Sequence, residues 1–420
     1  MLENNQKTLG YAWYALALLT LVYVLNFLDR QIIYFLFPLI KKEMSFSDTQ
    51  LALFGTSAFA IFYTILGIPF GRLADRGSRK NMIAAGLAIW SLFSGLTGFA
   101  NDFWTLFLCR VMVGVGEATL GPAAISLLSD YFSPTRRATV TSVYSMGITI
   151  GAALAAFLGG WIGLNYGWRW TFYLLGFPGL VFAALVFLLR EPARGATAAP
   201  TETKYSNADW QGLLANQSFI WLCTGYALLG LATNNLSIWG AIFYTSVHKL
   251  DLATIGVWGG ILTLAAGVPA TLFGGVIADW FRRRLRGGRM LYGALLAFVS
   301  IPFWLIFLFA RDYHVVFFAQ FILLGAGLAW LGAAAADATE IAGVHLRGLA
   351  VAIYFFAVNF AAYLIGSILI GQLNDLTGTN ANPEMLRYTL LVCPASCLLS
   401  AVCLRQGSRS LNLNDRQTSN

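Results

Sequence analysis

Charge is scarce in this sequence. Asp, Glu, Lys and Arg make up 11% of its 420 residues, against about 25% in a soluble globular domain. So few polar side chains cannot cover a water-facing surface, which excludes an ordinary soluble enzyme. Histidine is scarcer still, with only His248, His314 and His345. The five cysteines, Cys109, Cys223, Cys393, Cys397 and Cys403, lie in apolar segments and have no metal-ligand spacing to histidine. They read as small hydrophobes. There is no Gly-x-Ser-x-Gly elbow and no phosphate-cradling loop, so hydrolytic and nucleotide-driven chemistry has no motif to rest on. No cofactor and no metal is expected.

What the chain has instead is apolar length. Hydrophobic residues make up 58% of it. Apolar runs recur from end to end, and about 20 residues suffice to cross a bilayer core. In lipid only helices and closed barrels satisfy their own backbone. The runs are continuous rather than alternating, so helices are expected. The first run, Tyr11 to Ile40, exceeds the roughly 7–15 apolar residues of a signal peptide and reads as a retained membrane helix.

The pattern predicts twelve transmembrane helices at 11–40, 49–71, 81–99, 103–130, 138–163, 168–190, 218–247, 253–278, 290–310, 314–338, 347–374 and 385–405. Ser47-Asp48 is a start signal for the second helix, and Ser133-Pro134 breaks the chain after the fourth. Residues 191–217 are the longest hydrophilic stretch. The expected organisation is an N-terminal six-helix bundle (1–190), a linker (191–217), a C-terminal six-helix bundle (218–405) and a tail (406–420).

The net charge of +8 has a topological meaning. The N-terminus, the even-to-odd connections and the tail hold 19 of the 27 Lys and Arg residues, the opposite connections hold 6, and Arg30 and Arg110 lie inside helices. By the positive-inside rule both termini are expected in the cytoplasm, with the chain in a plasma or bacterial inner membrane. A nucleic-acid partner is not expected.

The two halves repeat. Gly71-Arg-Leu-Ala-Asp75-Arg76, followed by Arg79-Lys80, ends the second helix, and Gly275-Val-Ile-Ala-Asp279, followed by Arg282-Arg283-Arg284, ends the eighth, 204 residues later. Gly71 and Gly275 are expected to make tight turns there. Asp75 and its basic neighbours suit a gating loop. Arg137-Ala138 and Arg347-Gly348 lie 210 apart, and Gly114-Val-Gly116-Glu117-Ala118 and Gly325-Ala-Gly327-Leu328-Ala329 lie 211 apart. Nearly one offset at matching places indicates two homologous halves, an arrangement of alternating-access transporters rather than channels.

Gly-x-x-x-Asp-Arg after the second helix resembles the signature loop of the major facilitator superfamily. Arg110-x-x-x-Gly114-x-Gly116 resembles its fourth-helix motif. Asn26-Phe-Leu-Asp29-Arg30 together with Gly114-Val-Gly116-Glu117-Ala118 resembles the spinster group. The resemblance spans the chain and implies two pseudo-symmetric bundles in a monomer that exports lysophospholipids or sphingosine-type phosphates, coupled to protons. Two features depart from the family pattern. The signature loop reads Asp-Arg-Gly-Ser-Arg-Lys, and the fifth helix lacks the Gly-Pro of the antiporter motif.

Ionisable groups inside membrane helices are costly and usually functional. Four stand out: Asp29, Arg30, Arg110 and Glu117, in the first and fourth helices. At 1.5 Å per residue, Asp29, Arg30, Arg110 and Glu117 lie about 16, 15, 10 and 21 Å from the outer ends of their helices. They can therefore meet in one layer as a proton-coupling site. Two acids and two arginines also make a neutral lock. However, the repeat counterparts of Glu117 and Arg110 are Leu328 and Phe321, so the fourth helix of the fold packs without charge. The C-terminal half is expected to hold no membrane-embedded charge. Its polar candidates for substrate contact are Asn234, Asn235, Tyr244, Trp330, Asn359 and Tyr363, and Asn26 of the first helix, near whose repeat position Asn234 and Asn235 fall, is a further one. Their amides suit either a substrate head group or a neighbouring helix. A half ionised around Asp29 and Glu117 and an aromatic, apolar half suit an amphipathic substrate. A drug or small organic anion bound by Arg30 or Arg110 is the alternative.

Overall fold

A computed structural model describes residues 2–133, 136–192, 207–285 and 287–418. All regular structure among them is helical. Among them, eight spans are long and apolar enough to cross a membrane, beginning with Gly10–Met44 and ending with Pro383–Asn412. Several of the helices are interrupted, and the interruptions have local causes.

The second helix starts at Asp48 behind a capping box, in which Ser47 Oγ accepts from the Gln50 N–H and the Gln50 side chain accepts from the Ser47 N–H. The reciprocal bonds satisfy two of the donors that a helix start leaves open. The helix then passes through a π-turn, Leu53–Ser57, and resumes as Ala58–Arg76. Gly71 lies inside this last piece, not in a turn. The reversal is made by Gly77 and by Ser78, whose hydroxyl caps the next helix, Arg79–Thr97. Gly275 likewise lies inside the helix Leu252–Arg284. The expected glycine turns are therefore the final helical turns, because nothing in Arg-Leu-Ala breaks a helix before Gly77. The side chains of Asp75 and Arg76 lie outside the described residues.

Gly167 adopts φ +83°, a conformation that costs a glycine little. It bends the run Arg137–Gly176 into the fifth and sixth helices. The fourth helix is two pieces, Phe103–Glu117 and Leu120–Tyr131. The tenth breaks at the corresponding place, Tyr313–Ala329 then Leu331–Asn359, with Trp330 between them. A second π-turn, Phe360–Gly366, interrupts the eleventh.

Two compact units result, one of Met1–Thr201 with Asp251–Gly260, the other of Glu202–Leu250 with Ile261–Asn420. In the first, the helix Leu2–Met44 runs along Arg137–Gly176. In the second, Gln217–Ser246 packs against Val392–Thr418. Lipid tails are as apolar as leucine, so such contacts rest on close packing and buried polar bonds rather than on expulsion of water.

Candidate functional site

Four charged side chains come together in the first unit, three of them buried and Arg30 11% exposed. Asp29 and Arg30 lie on the helix Leu2–Met44, and Arg110 and Glu117 on Phe103–Glu117. Two glycines bring the second pair into position. A Cβ at Gly114 would lie 2.7 Å from the Phe59 carbonyl oxygen, and one at Gly116 would lie 2.6 Å from the Gly86 carbonyl oxygen. Real Cβ atoms do not come so close, so only glycine lets this helix touch the backbones of the second and third. Glu117 is the last residue before the helix breaks at Ala118 and Thr119.

Arg30 reaches across to Glu117. Its Nη2 and Nε donate to the same oxygen, Oε2, at 2.7 and 3.1 Å. Glu117 Oε1 is buried with no hydrogen-bond partner among the described residues. The Arg30 guanidinium also lies 4.8 Å from the ring centre of Phe27 and 4.7 Å from those of Phe59 and Tyr63. Such contacts can be worth about 2 kcal/mol when desolvated.

The other pair is looser. Arg110 Nη1 stands 3.9 Å from Asp29 Oδ2, and Ser94 Oγ donates to Asp29 Oδ1. All three guanidinium nitrogens of Arg110 are buried without a hydrogen-bond partner among the described residues, and so is Asp29 Oδ2. Phe59 sits near both cations, 5.7 Å from Arg110. Asn26 is buried one turn before Arg30, its Nδ2 also without a partner. The result is one tightly bonded acid–arginine pair beside one under-bonded pair. Stranding a buried charge by removing its partner costs about 3–5 kcal/mol.

Sequence reasoning missed Ser94, Phe59 and Tyr63. Ser91, Ser94 and Thr97 recur at three-residue spacing, the pattern of one helix face, and that was the available signal for the serine. The aromatics had none, since phenylalanine is common throughout.

At the end of the unit that carries Gly77 to Lys80, Arg79 is buried. Its side chain bonds Asp130, Glu191 Oε1 at 3.1 Å, and the carbonyls of Ser126 and Pro192, both at 3.2 Å. Its N–H donates to the same Glu191 oxygen at 2.8 Å, and Ser78 donates to Oε2. Burial raises the Glu191 carboxyl's pKa, but these donors and the Arg79 charge outweigh it and hold the group below its ordinary value. Lys80 donates to the Phe187 carbonyl at 2.9 Å.

The second unit repeats this device. Arg289 bonds Asp279 at 2.9 Å and Glu340 at 2.9 Å, and Arg282 also bonds Glu340. Arg79 and Asp130 are 51 positions apart, as are Arg289 and Glu340. One correction follows. The C-terminal half does hold an embedded charge, because Asp337 is buried within the span Tyr313–Ala342, with Oδ1 3.3 Å from Arg289. The expected tenth helix ended at 338, which made Asp337 a helix-end residue, whereas it lies inside Leu331–Asn359.

The polar candidates of the second unit separate into small groups. Tyr363 Oη donates to Asn234 Oδ1 at 2.9 Å. Asn235 is fully buried and donates to the carbonyl of Leu231 in its own helix and to that of Ala362 in another, so it bonds helix to helix. Tyr244 Oη donates to Gln320 at 2.6 Å. Trp330 stacks on Tyr226, ring centres 5.2 Å apart. Asn359 ends the helix Leu331–Asn359, at the start of the π-turn.

Residues 19–360 match the Major Facilitator Superfamily. The chain belongs to that superfamily. Among curated relatives of this transporter, an MFS-type efflux pump of Mycolicibacterium smegmatis is 28% identical over 93% of this chain and 91% of its own. Protein spinster homolog 1 of Xenopus tropicalis is 28% identical over 88% and 75%. A solved bacterial homolog of the human lysosomal transporter spinster, inward-facing and unoccupied, matches with TM-score 0.80 at 27% identity over 97% of both chains. A nucleoside transporter (TM-score 0.73, 14% identity, 94% of this chain and 99% of its own) shares the fold. The protein is thus a multi-pass membrane transporter of spinster type, and not an enzyme.

Proposed function

We propose that this transporter is a proton-coupled exporter of an amphipathic, lipid-like molecule, such as a lysophospholipid or a sphingosine-type phosphate, working as a monomer by alternating access. The observation that carries the reading is the pairing of Arg30 with Glu117 beside the under-bonded Asp29 and Arg110. Each acid retains one buried oxygen without a donor, and that oxygen is where a proton adds. A proton on Glu117 weakens its hold on Arg30, and the guanidinium then gains by turning toward Asp29. A proton on Asp29 leaves Arg110 as a buried cation, able to hold an anionic head group. Either change alters which helices are tied together, as a switch between outward- and inward-open states requires. The kinship with an efflux pump supports export, and the lipid-like substrate is what the resemblance to the spinster group implies. Arginine distribution supports an orientation with both termini in the cytoplasm of a plasma or bacterial inner membrane.

The alternative, a drug or small organic anion, is favoured by one observation, the unfilled donors of Arg110. The deciding experiment is transport in liposomes with and without an imposed pH gradient, comparing lysolipids with sugars and organic anions. Gradient-dependent movement of lysolipid alone is expected. Gradient-independent movement, or movement of organic anions only, overturns the proposal.

A further inference from the structure

The second unit carries a charge imbalance that the reading above does not use. Among the described residues, three carboxylates, Asp279, Asp337 and Glu340, share two guanidiniums, Arg282 and Arg289. Glu340 is held on both oxygens, by Arg282 and by Arg289 at 2.9 Å. Asp279 receives Arg289 Nε at 2.9 Å and Nη2 at 2.8 Å. Asp337 is left with the longest contact, 3.3 Å, through one oxygen. Its other oxygen, Oδ2, is buried with no hydrogen-bond partner among the described residues.

We propose that Asp337 is a second proton-binding site of the transporter, separate from the Asp29–Glu117 cluster and lying in the other unit. Three acids against two bases leave one excess negative charge, and a buried carboxylate without donors is the costliest place to keep it. The side chain of Asp337 is 1% exposed, against 56% for Asp279 and 29% for Glu340. The two exposed acids and the Arg289 fork therefore link Asp337 to water. Among the described residues, the ionisable groups facing Asp337 are Arg289, Arg282, Glu340 and Tyr226, the last from the helix Gln217–Ser246. Its hydroxyl donates to the Arg289 carbonyl at 3.3 Å, so it is committed elsewhere.

The repeat argues that this acid is not architecture. Arg79 and Asp130 lie 210 positions before Arg289 and Glu340. At that offset the counterpart of Asp337 is Leu127, fully buried. The same device in the first unit is built around a leucine. With the proton bound, Asp337 releases Arg289 to Asp279 and Glu340. That loosens the tie between the helices Leu331–Asn359 and Gly288–Phe309 that this contact provides.

The test reads protonation directly, so it does not depend on the coupling reading. Infrared carboxyl absorption of the full-length protein in lipid nanodiscs is followed through a pH titration in an Asp29→Asn/Glu117→Gln background. A protonated-carboxyl band that titrates above the ordinary carboxylate range is expected to remain, and Asp337→Asn should abolish it. Asp279→Asn removes a neighbouring negative charge at an exposed position and should move the band's midpoint to lower pH by about one unit. A band indifferent to Asp337→Asn overturns the proposal. If Asp337→Asn does not fold, a midpoint unmoved by Asp279→Asn overturns it equally.

Discussion

Arg30 and Glu117 are 87 positions apart in sequence and 2.7 Å apart in the fold. The bond joins the first helix to the fourth at the point where the fourth breaks. It uses the two-pronged side of the guanidinium on a single carboxylate oxygen while three aromatic rings surround the cation. A lysine ammonium is a compact point charge, so it cannot make the two-pronged contact with planar stacking. Arg30→Lys should reduce pH-gradient-driven uptake in proteoliposomes by more than about tenfold, with the protein still folded by size exclusion. Retention of most of the driven rate would remove Arg30 from the switch.

Asp29→Asn and Glu117→Gln imitate the protonated acids at nearly constant shape. Each should abolish accumulation driven by a pH gradient, while substrate binding, read by ligand-induced thermal shift, survives. A double variant that still concentrates substrate on a proton gradient would place coupling elsewhere.

Gly116 is in backbone contact with the third helix. Gly116→Ala should lower stability by about 1–3 kcal/mol, because the clash is with backbone that cannot rotate away. The measurement is the thermal unfolding midpoint in detergent. Gly71→Ala meets nothing within 4 Å and should leave that midpoint unchanged or slightly raised.

Glu191 ties the sixth helix end to Ser78 and Arg79. Its pKa is held below the ordinary value in the folded protein. Its contribution to stability is therefore full above the unfolded-state value and is lost as pH falls through the lower, folded one. Stability should decline in the acid range for the native chain, and Glu191→Gln should flatten that decline. Because Glu191 is part-exposed, the effect should be below about 1 kcal/mol. An identical acid limb in the variant would show that the pair contributes nothing.

Single cysteines at Asn412 and Lys42, in a background lacking the native five, test orientation. Impermeant thiol reagent applied outside intact cells should label position 42 and not 412. The reverse pattern would invert the assignment made from arginine and lysine.

Much of this molecule was legible in its sequence, for a physical reason. A bilayer admits only self-satisfied backbones, so scarce charge and long apolar runs suffice to specify helices, and repeated motifs suffice to specify two related halves. The exceptional residues were equally visible, since Asp29, Arg30, Arg110 and Glu117 stand out against an apolar background. Their partners were not. Whether Arg30 would hold Asp29 or Glu117 depends on helix rotation and on the approach that Gly114 and Gly116 allow, which are distances of a few ångströms that composition does not encode. The same holds for Asp337. In sequence it is one more acid near a helix end, and only packing against Arg289 makes it a buried, under-bonded charge. Local chemistry chose the elements and marked the costly residues, while the tertiary structure chose which of them meet, because pairing energies depend on contact geometry and burial that no single helix contains.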